Sequence, residues 1–368
     1  MFDWLRNLYG CMRYAARNNG AESEDFELAS HPDNVVLDGV GLAYLEHADD
    51  LLLVSWSAEG LQYRLDQFYH WCRENFMLAN AMKSKVCIHG SRPSMPDIVT
   101  EYTYLGVSIC STGRNMFALH YLNKASKSSA AAHAVLHIDS MLDGLSLAAG
   151  RTLYMARLDP LLTYGCETMP DTDNSLLGRL ESVKTTFTRV LMGVHKRAAL
   201  LYTETGLVPL KLKRLELTLR YLSYMIERPH RTLVNRALRD SMALAHEDAQ
   251  GWFMDLQFVV QSLHANLALP ASEALTQGQV LYLRENVQRH MKSNKKLYLL
   301  PGTHLRVKDA NANNRVALTR ILVSCHSLAV ERLRWRLCRL CRSLVETSEQ
   351  ILLLCTSSAD LCAPRGLL

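Results

Sequence analysis

The sequence predicts an α+β protein whose strands come first and whose helices follow. Three observations carry this. Short aliphatic runs flank polar junctions within residues 1–112, the signature of hairpins. From about residue 114 the apolar residues return with helical period, as in Leu215, Leu219, Leu222 and Ile226, or Leu318, Ile321, Cys325 and Leu328. Pro160, Pro209, Pro229 and Pro270 then punctuate the helices, because proline lacks the N–H that helix propagation needs. The expected organisation is a strand-bearing region over 1–112, a helical region over 113–265, and a helical C-terminal region with a Cys-rich tail over 266–368. Within the last, residues 266–312 read equally as a linker or as part of the fold.

Taken in order, residues 2–18 predict an amphipathic helix, with Leu5, Leu8, Met12 and Ala15 on one face and Gly20 as its stop. Asp38-Gly39, between Val35-Val36-Leu37 and Val40, is a hairpin turn signal. The stretch Leu42 to Ser55 places two apolar runs around the acidic junction Ala48-Asp49-Asp50, a second hairpin. Ser57 is a good N-cap for a helix whose apolar stripe is Leu61, Leu65, Phe68, Cys72 and Phe76, with Glu59 in the first turn where the helix dipole favours an acid. Tyr69 and Trp71, beside that stripe, read as core residues rather than as a base-stacking platform. Pro93 and Pro96 mark a loop, and Tyr102–Cys110 reads as one strand.

A chain of 368 residues with 48% hydrophobic content is large enough for two cores. The net charge of +5 permits a polyanionic partner without requiring one. Ten cysteines with no paired spacing outside the tail point to a reducing compartment. No segment approaches the ~18 apolar residues of a membrane helix, and the start Met1-Phe2-Asp3-Trp4 has no signal-peptide pattern. The expectation is a soluble intracellular protein of the nucleus or cytoplasm, with no membrane partner.

Adjacent aspartates at the tip of an apolar hairpin suit a hard divalent cation, since magnesium takes oxygen ligands. An ordinary polar turn is the plain alternative. The motif resembles the aromatic-Ala-Asp-Asp hairpin of reverse transcriptases, specifically the non-LTR (LINE-type) retrotransposon enzymes, and further segments follow in that family's order. Ser57–Phe76 resembles the helix after the catalytic hairpin. Asn80-Ala81-Met82-Lys83-Ser84-Lys85 resembles the family's Asn-x-x-Lys-Thr-Lys segment, and Tyr102-Thr103-Tyr104-Leu105-Gly106-Val107 the strand that grips the primer end. Leu153-Tyr154, Leu162-Thr163-Tyr164-Gly165 and Thr203-Glu204-Thr205-Gly206 resemble markers in the region beyond the palm. The resemblance is strongest over residues 35–227. It implies a truncated reverse-transcriptase palm followed by a mainly helical thumb-like region.

On that resemblance Asp49 is the magnesium ligand, Asp50 the supporting acid, and Lys83 the general acid toward the leaving pyrophosphate. Lys83 reads equally as a solvated surface lysine. His47 departs from the family, which has an aromatic or an amide there. Two family elements have no counterpart. The first catalytic strand would precede Met1, and the Gly-containing segment that seats template and nucleotide should fall between Phe26 and His31, where Glu27-Leu28-Ala29-Ser30 stand.

The tail carries Cys338-Arg339-Leu340-Cys341, then Gln350 and Cys355. Cys-x2-Cys with a later His and Cys is the spacing of a small zinc site, which the family often has. Gln350 stands in the histidine's place, so Cys362 is the candidate fourth zinc ligand, with His326 a poorer one. The site reads either as vestigial or as rewired. Nearby, Arg332, Arg334 and Arg336 with Trp335 interleaved suit phosphate neutralisation and base stacking. A helix with alternating core and solvent faces explains them as well. Lys124, Lys127, Lys211, Lys213 and Arg214 fit a helical region lying along a duplex. RNA or DNA is thus the partner that the resemblance implies.

Three readings of function remain open at this point. The first is a reverse transcriptase-like protein, of the RNA-directed DNA polymerase family, that is inactive on its own. The second is a non-catalytic helical module that binds nucleic acid or protein. The third is a complete nucleotidyltransferase of which these residues are a part.

Overall fold

The protein, as a computed structural model, is described here over residues 17–18, 21–22, 31–47, 50–80, 82–89, 98–112, 115–141, 145–192, 205–263, 269–270 and 275–296. It is α+β, and among the described residues helices predominate and the strands lie in the first 112 residues. The strands are β1 Arg17–Asn18, β2 Ala21–Glu22, β3 Val35–Leu37, β4 Val40–Leu42, β5 Tyr44–His47 and β6 Asp50–Leu53, then β7 Val86–Cys87, β8 Ile98–Val99, β9 Glu101–Tyr104 and β10 Val107–Cys110. The helices are α1 Ala58–Glu74, α2 Ala118–Met141, α3 Leu147–Leu153, α4 Asp159–Thr163, α5 Asn174–Met192, α6 Leu210–Glu227, α7 Leu233–His246, α8 Trp252–Gln261 and α9 Gln277–Lys296. A π-helical turn, Tyr154–Leu158, joins α3 to α4. Pro160, near the start of α4, has no N–H to offer the preceding turn, which accounts for the local widening.

Every sheet among the described residues has two strands. The first hairpin is closed by Asp38 and Gly39, at φ 46° and 75°. Positive φ at both central residues is the turn whose twist matches the strands, so the Asp-Gly signal is borne out. The second hairpin pairs Tyr44 with Leu53, Leu45 with Leu52, Glu46 with Leu51 and His47 with Asp50. Ala48 and Asp49, between these strands in the sequence, lie outside the described residues.

Two expectations are corrected in this region. Tyr102–Cys110 is not one strand. It is the β9–β10 hairpin, turned at Leu105 and Gly106 with φ 47° and 78°, and Thr103 faces Ser108 across it at 3.2 Å between hydroxyls. Residues 17–18, assigned to the end of a helix, pair instead with β2; the intervening Asn19-Gly20 is a strong hairpin-turn sequence. The rest of the helix expected over 2–18 lies outside the described residues, as do Pro93 and Pro96.

The chain forms two compact units, each discontinuous in sequence: Met1–Ala118, Gly165–Thr172 and Leu215–Glu285 in one, Leu119–Tyr164, Asp173–Arg214 and Asn286–Leu368 in the other. In the first unit most of the deeply buried side chains are helical. Leu215, Leu219 and Leu222 of α6 are buried as their spacing predicts, with Leu238 of α7, Phe253 and Leu256 of α8, and Val280 of α9 also buried there. The hairpin strands are mostly half-buried. In the second unit Tyr154, Leu158, Leu162, Leu180, Phe187 and Met192 are buried, and the Tyr154 ring lies 5.8 Å from that of Phe187.

Candidate active-site hairpin and its surroundings

The β5–β6 hairpin is built from Leu45, Leu51, Leu52 and Leu53, whose bulk favours a pleated, half-buried surface. Alternation puts His47 and Asp50 on one face and Glu46 with Leu51 on the other. Asp50 is exposed. Glu46 is half-buried, and burial raises its carboxyl pKa, but it points away from the Asp50 face. Asp49 lies outside the described residues. Lys83 is exposed, in a turn where its N–H donates to the Asn80 carbonyl at 3.0 Å. Arg332, Arg334, Trp335, Arg336 and the cysteines Cys338, Cys341, Cys355 and Cys362 also lie outside the described residues.

The chemistry of the tip is tested by its donors. Among the described residues, no three His, Cys, Asp or Glu side chains gather so as to hold a metal ion. Among the described residues of the hairpin, Asp50 is the single carboxylate on its face. The described donor set therefore does not by itself make a magnesium site, and no reaction step is derived through one.

What fixes the base of this hairpin is a buried charge that the sequence pattern does not disclose. The loop before β3 supplies Asp33 and Asn34, the exit of β6 supplies Ser55, and α1 supplies its N-cap Ser57 and Arg64. Asp33 Oδ2 accepts hydrogen bonds from the Ser55 hydroxyl, and from the Ser57 N–H and hydroxyl at 3.0 Å each. Arg64 is 1% exposed. Its guanidinium donates to Ser55 Oγ at 2.7 Å, to the Gly60 carbonyl at 3.1 Å and to Asn34 Oδ1, and lies 3.8 Å from Asp33. The Ser55 hydrogen bond is the largest influence holding the Asp33 carboxyl below its usual pKa, helped by Ser57 and Arg64 against the effect of burial. Ser57 also caps α1 by accepting from the Gly60 N–H at 3.0 Å.

This arrangement corrects the helical stripe. Arg64 is buried while Leu65 is exposed, and Phe76, the last member of the expected stripe, is 92% exposed. Phe68 and Trp71 are half-buried, with rings 6.3 Å apart, whereas Tyr69 is exposed rather than core. A guanidinium can replace an aliphatic chain here because Asp33 balances its charge and Ser55, Asn34 and the Gly60 carbonyl accept from its two terminal nitrogens, although its Nε is buried without a partner among the described residues.

Several cations of the helical region are engaged within the second unit. Arg214 is buried, donates to the Leu162 carbonyl at 2.7 Å and to the Tyr121 hydroxyl at 3.2 Å, and stacks on the Tyr121 ring. Lys213 is bonded to Asp159. Arg214 is therefore not a solvated cation, whereas Lys213 remains part-exposed beside Asp159. Lys184, 2% exposed, donates to the Val208 carbonyl and lies 3.6 Å from Glu181, whose other oxygen accepts from the Leu210 N–H at 2.7 Å. Glu181 thus serves one of the orphan donors at the start of α6. Burial is the main cause lowering the Lys184 pKa to about 8, against the pull of Glu181 and Asp159. His120, 2% exposed, donates from Nε2 to the Tyr164 carbonyl at 3.1 Å, and burial chiefly lowers its pKa to about 4. Lys124 sits 3.8 Å above the Tyr164 ring and Lys127 is exposed.

A cleft of about 800 Å³ in the first unit runs along α7, floored by Ile226, Leu238, Met242 and Leu275. Its polar groups already serve the protein: His230 pairs with Asn235 at 3.2 Å, and Arg239 meets Asp38 of the first hairpin at 3.1 Å. Among the described residues no helix is long and apolar enough to cross a membrane. No family model, curated protein or solved structure matches this chain.

Proposed function

We propose that the chain is a reverse transcriptase-like protein of the non-LTR retrotransposon class. In this reading it contributes a palm's acidic hairpin and a thumb-like helical region, and these 368 residues do not polymerise DNA by themselves. The observation that carries the reading is the acidic hairpin in its setting. Asp50 begins the second strand of an apolar hairpin, directly after Ala48-Asp49 in the sequence, and a Ser57-capped helix follows at once. The ordered markers downstream support it.

Inactivity follows from the donors. Two-metal chemistry holds both ions at about 3.5–4 Å from each other, and that demands carboxylates from more than one strand. Asp49 and Asp50 are adjacent in the sequence and in this reading belong to one hairpin. A group misplaced by about 1 Å already costs ~100-fold in rate, so a site without carboxylates from a second strand falls below the measurable range.

A second reading is favoured by where the buried residues lie. Most deeply buried side chains belong to helices rather than to the hairpins, which suits a helical binding module without catalysis. Primer extension on an RNA template, with magnesium or manganese, tests the first reading. The expected result is equal background for this chain and its Asp49→Ala variant. Extension abolished in the variant overturns the inactivity. Failure to bind a primer–template hybrid even at low salt overturns the reverse transcriptase-like reading and leaves the protein-binding form of the module.

A further inference from the structure

We draw no further inference here: the strongest candidate, the exposed apolar turn after α1 that carries Phe76, Leu78 and Met82, is an unpartnered face, and nothing in the structure shows what covers it.

Discussion

Replacing Lys184 by methionine tests how the helical unit holds a buried charge. The folded-state pKa is about 8 against 10.5 for the free side chain. Between those values the unfolded chain keeps a proton that the folded chain has released, so stability rises with pH across that window. The difference of 2.5 units, at about 1.4 kcal/mol each, corresponds to roughly 3 kcal/mol over the full window, and to about 2–3 kcal/mol between about pH 7.5 and pH 10.

In Lys184→Met that contribution is absent. Near pH 7.5 two effects oppose each other. The variant loses the cost of a buried ammonium, and it leaves the Val208 carbonyl without its donor, a penalty of about 1–3 kcal/mol. The two proteins should therefore be close in stability there, as often holds when a buried charge gives way to an apolar side chain of similar size. At about pH 10 the wild type should be more stable by about 2–3 kcal/mol. Urea unfolding followed by far-UV circular dichroism at both pH values measures it. Because other titrating groups are common to both proteins, the comparison isolates Lys184. Parallel pH dependence in the two proteins would refute the reasoning, since it would mean that the ammonium is solvated.

His120 acts with the same sign in a lower window: its folded pKa of about 4 lies below the ordinary 6.5, so its contribution is complete above pH 6.5 and is lost as pH falls toward 4. After allowance for solvent screening this amounts to about 2 kcal/mol, and His120→Asn should flatten the acid limb of a plot of urea stability against pH. Gly60→Ala should destabilise by about 1–2 kcal/mol despite the helix propensity it gains. The new Cβ overlaps Asp33 Oδ2 and lies 2.7 Å from Ser55 Oγ; an unchanged or raised urea midpoint would show that the Asp33 loop moves aside freely. Nucleic-acid binding should weaken steeply with salt, and replacing Arg332, Arg334 and Arg336 together should reduce the slope of log affinity against log salt by about 2–3. A slope that stays the same in a filter-binding titration would mean that these arginines do not touch phosphates.

The sequence by itself determined the features that rest on a few neighbouring residues. Asp38-Gly39 closes a hairpin because those two residues tolerate positive φ. Tyr44–His47 and Asp50–Leu53 pair as a hairpin because they are rich in apolar residues, and Ser57 starts a helix because its hydroxyl reaches the Gly60 N–H. The α6 stripe of Leu215, Leu219 and Leu222 is buried as its period requires. Leu105-Gly106 was equally local but weaker, since leucine rarely takes φ 47° and only the glycine signals the turn.

The tertiary structure alone decided which charges go inside. Arg64 is buried in place of Leu65 because Asn34, 30 residues earlier, and Asp33 meet it. Lys184 finds a carbonyl 24 residues away, and Arg214 finds Leu162 and Tyr121 at separations of 52 and 93. A cation read along the chain looks like a solvated face, because the desolvation cost of burying it is offset only by partners that local periodicity does not reveal. The same physics separates the two parts of the candidate site. An aspartate's place at a hairpin tip is written in its neighbours, whereas a metal site needs several carboxylates brought together across the fold.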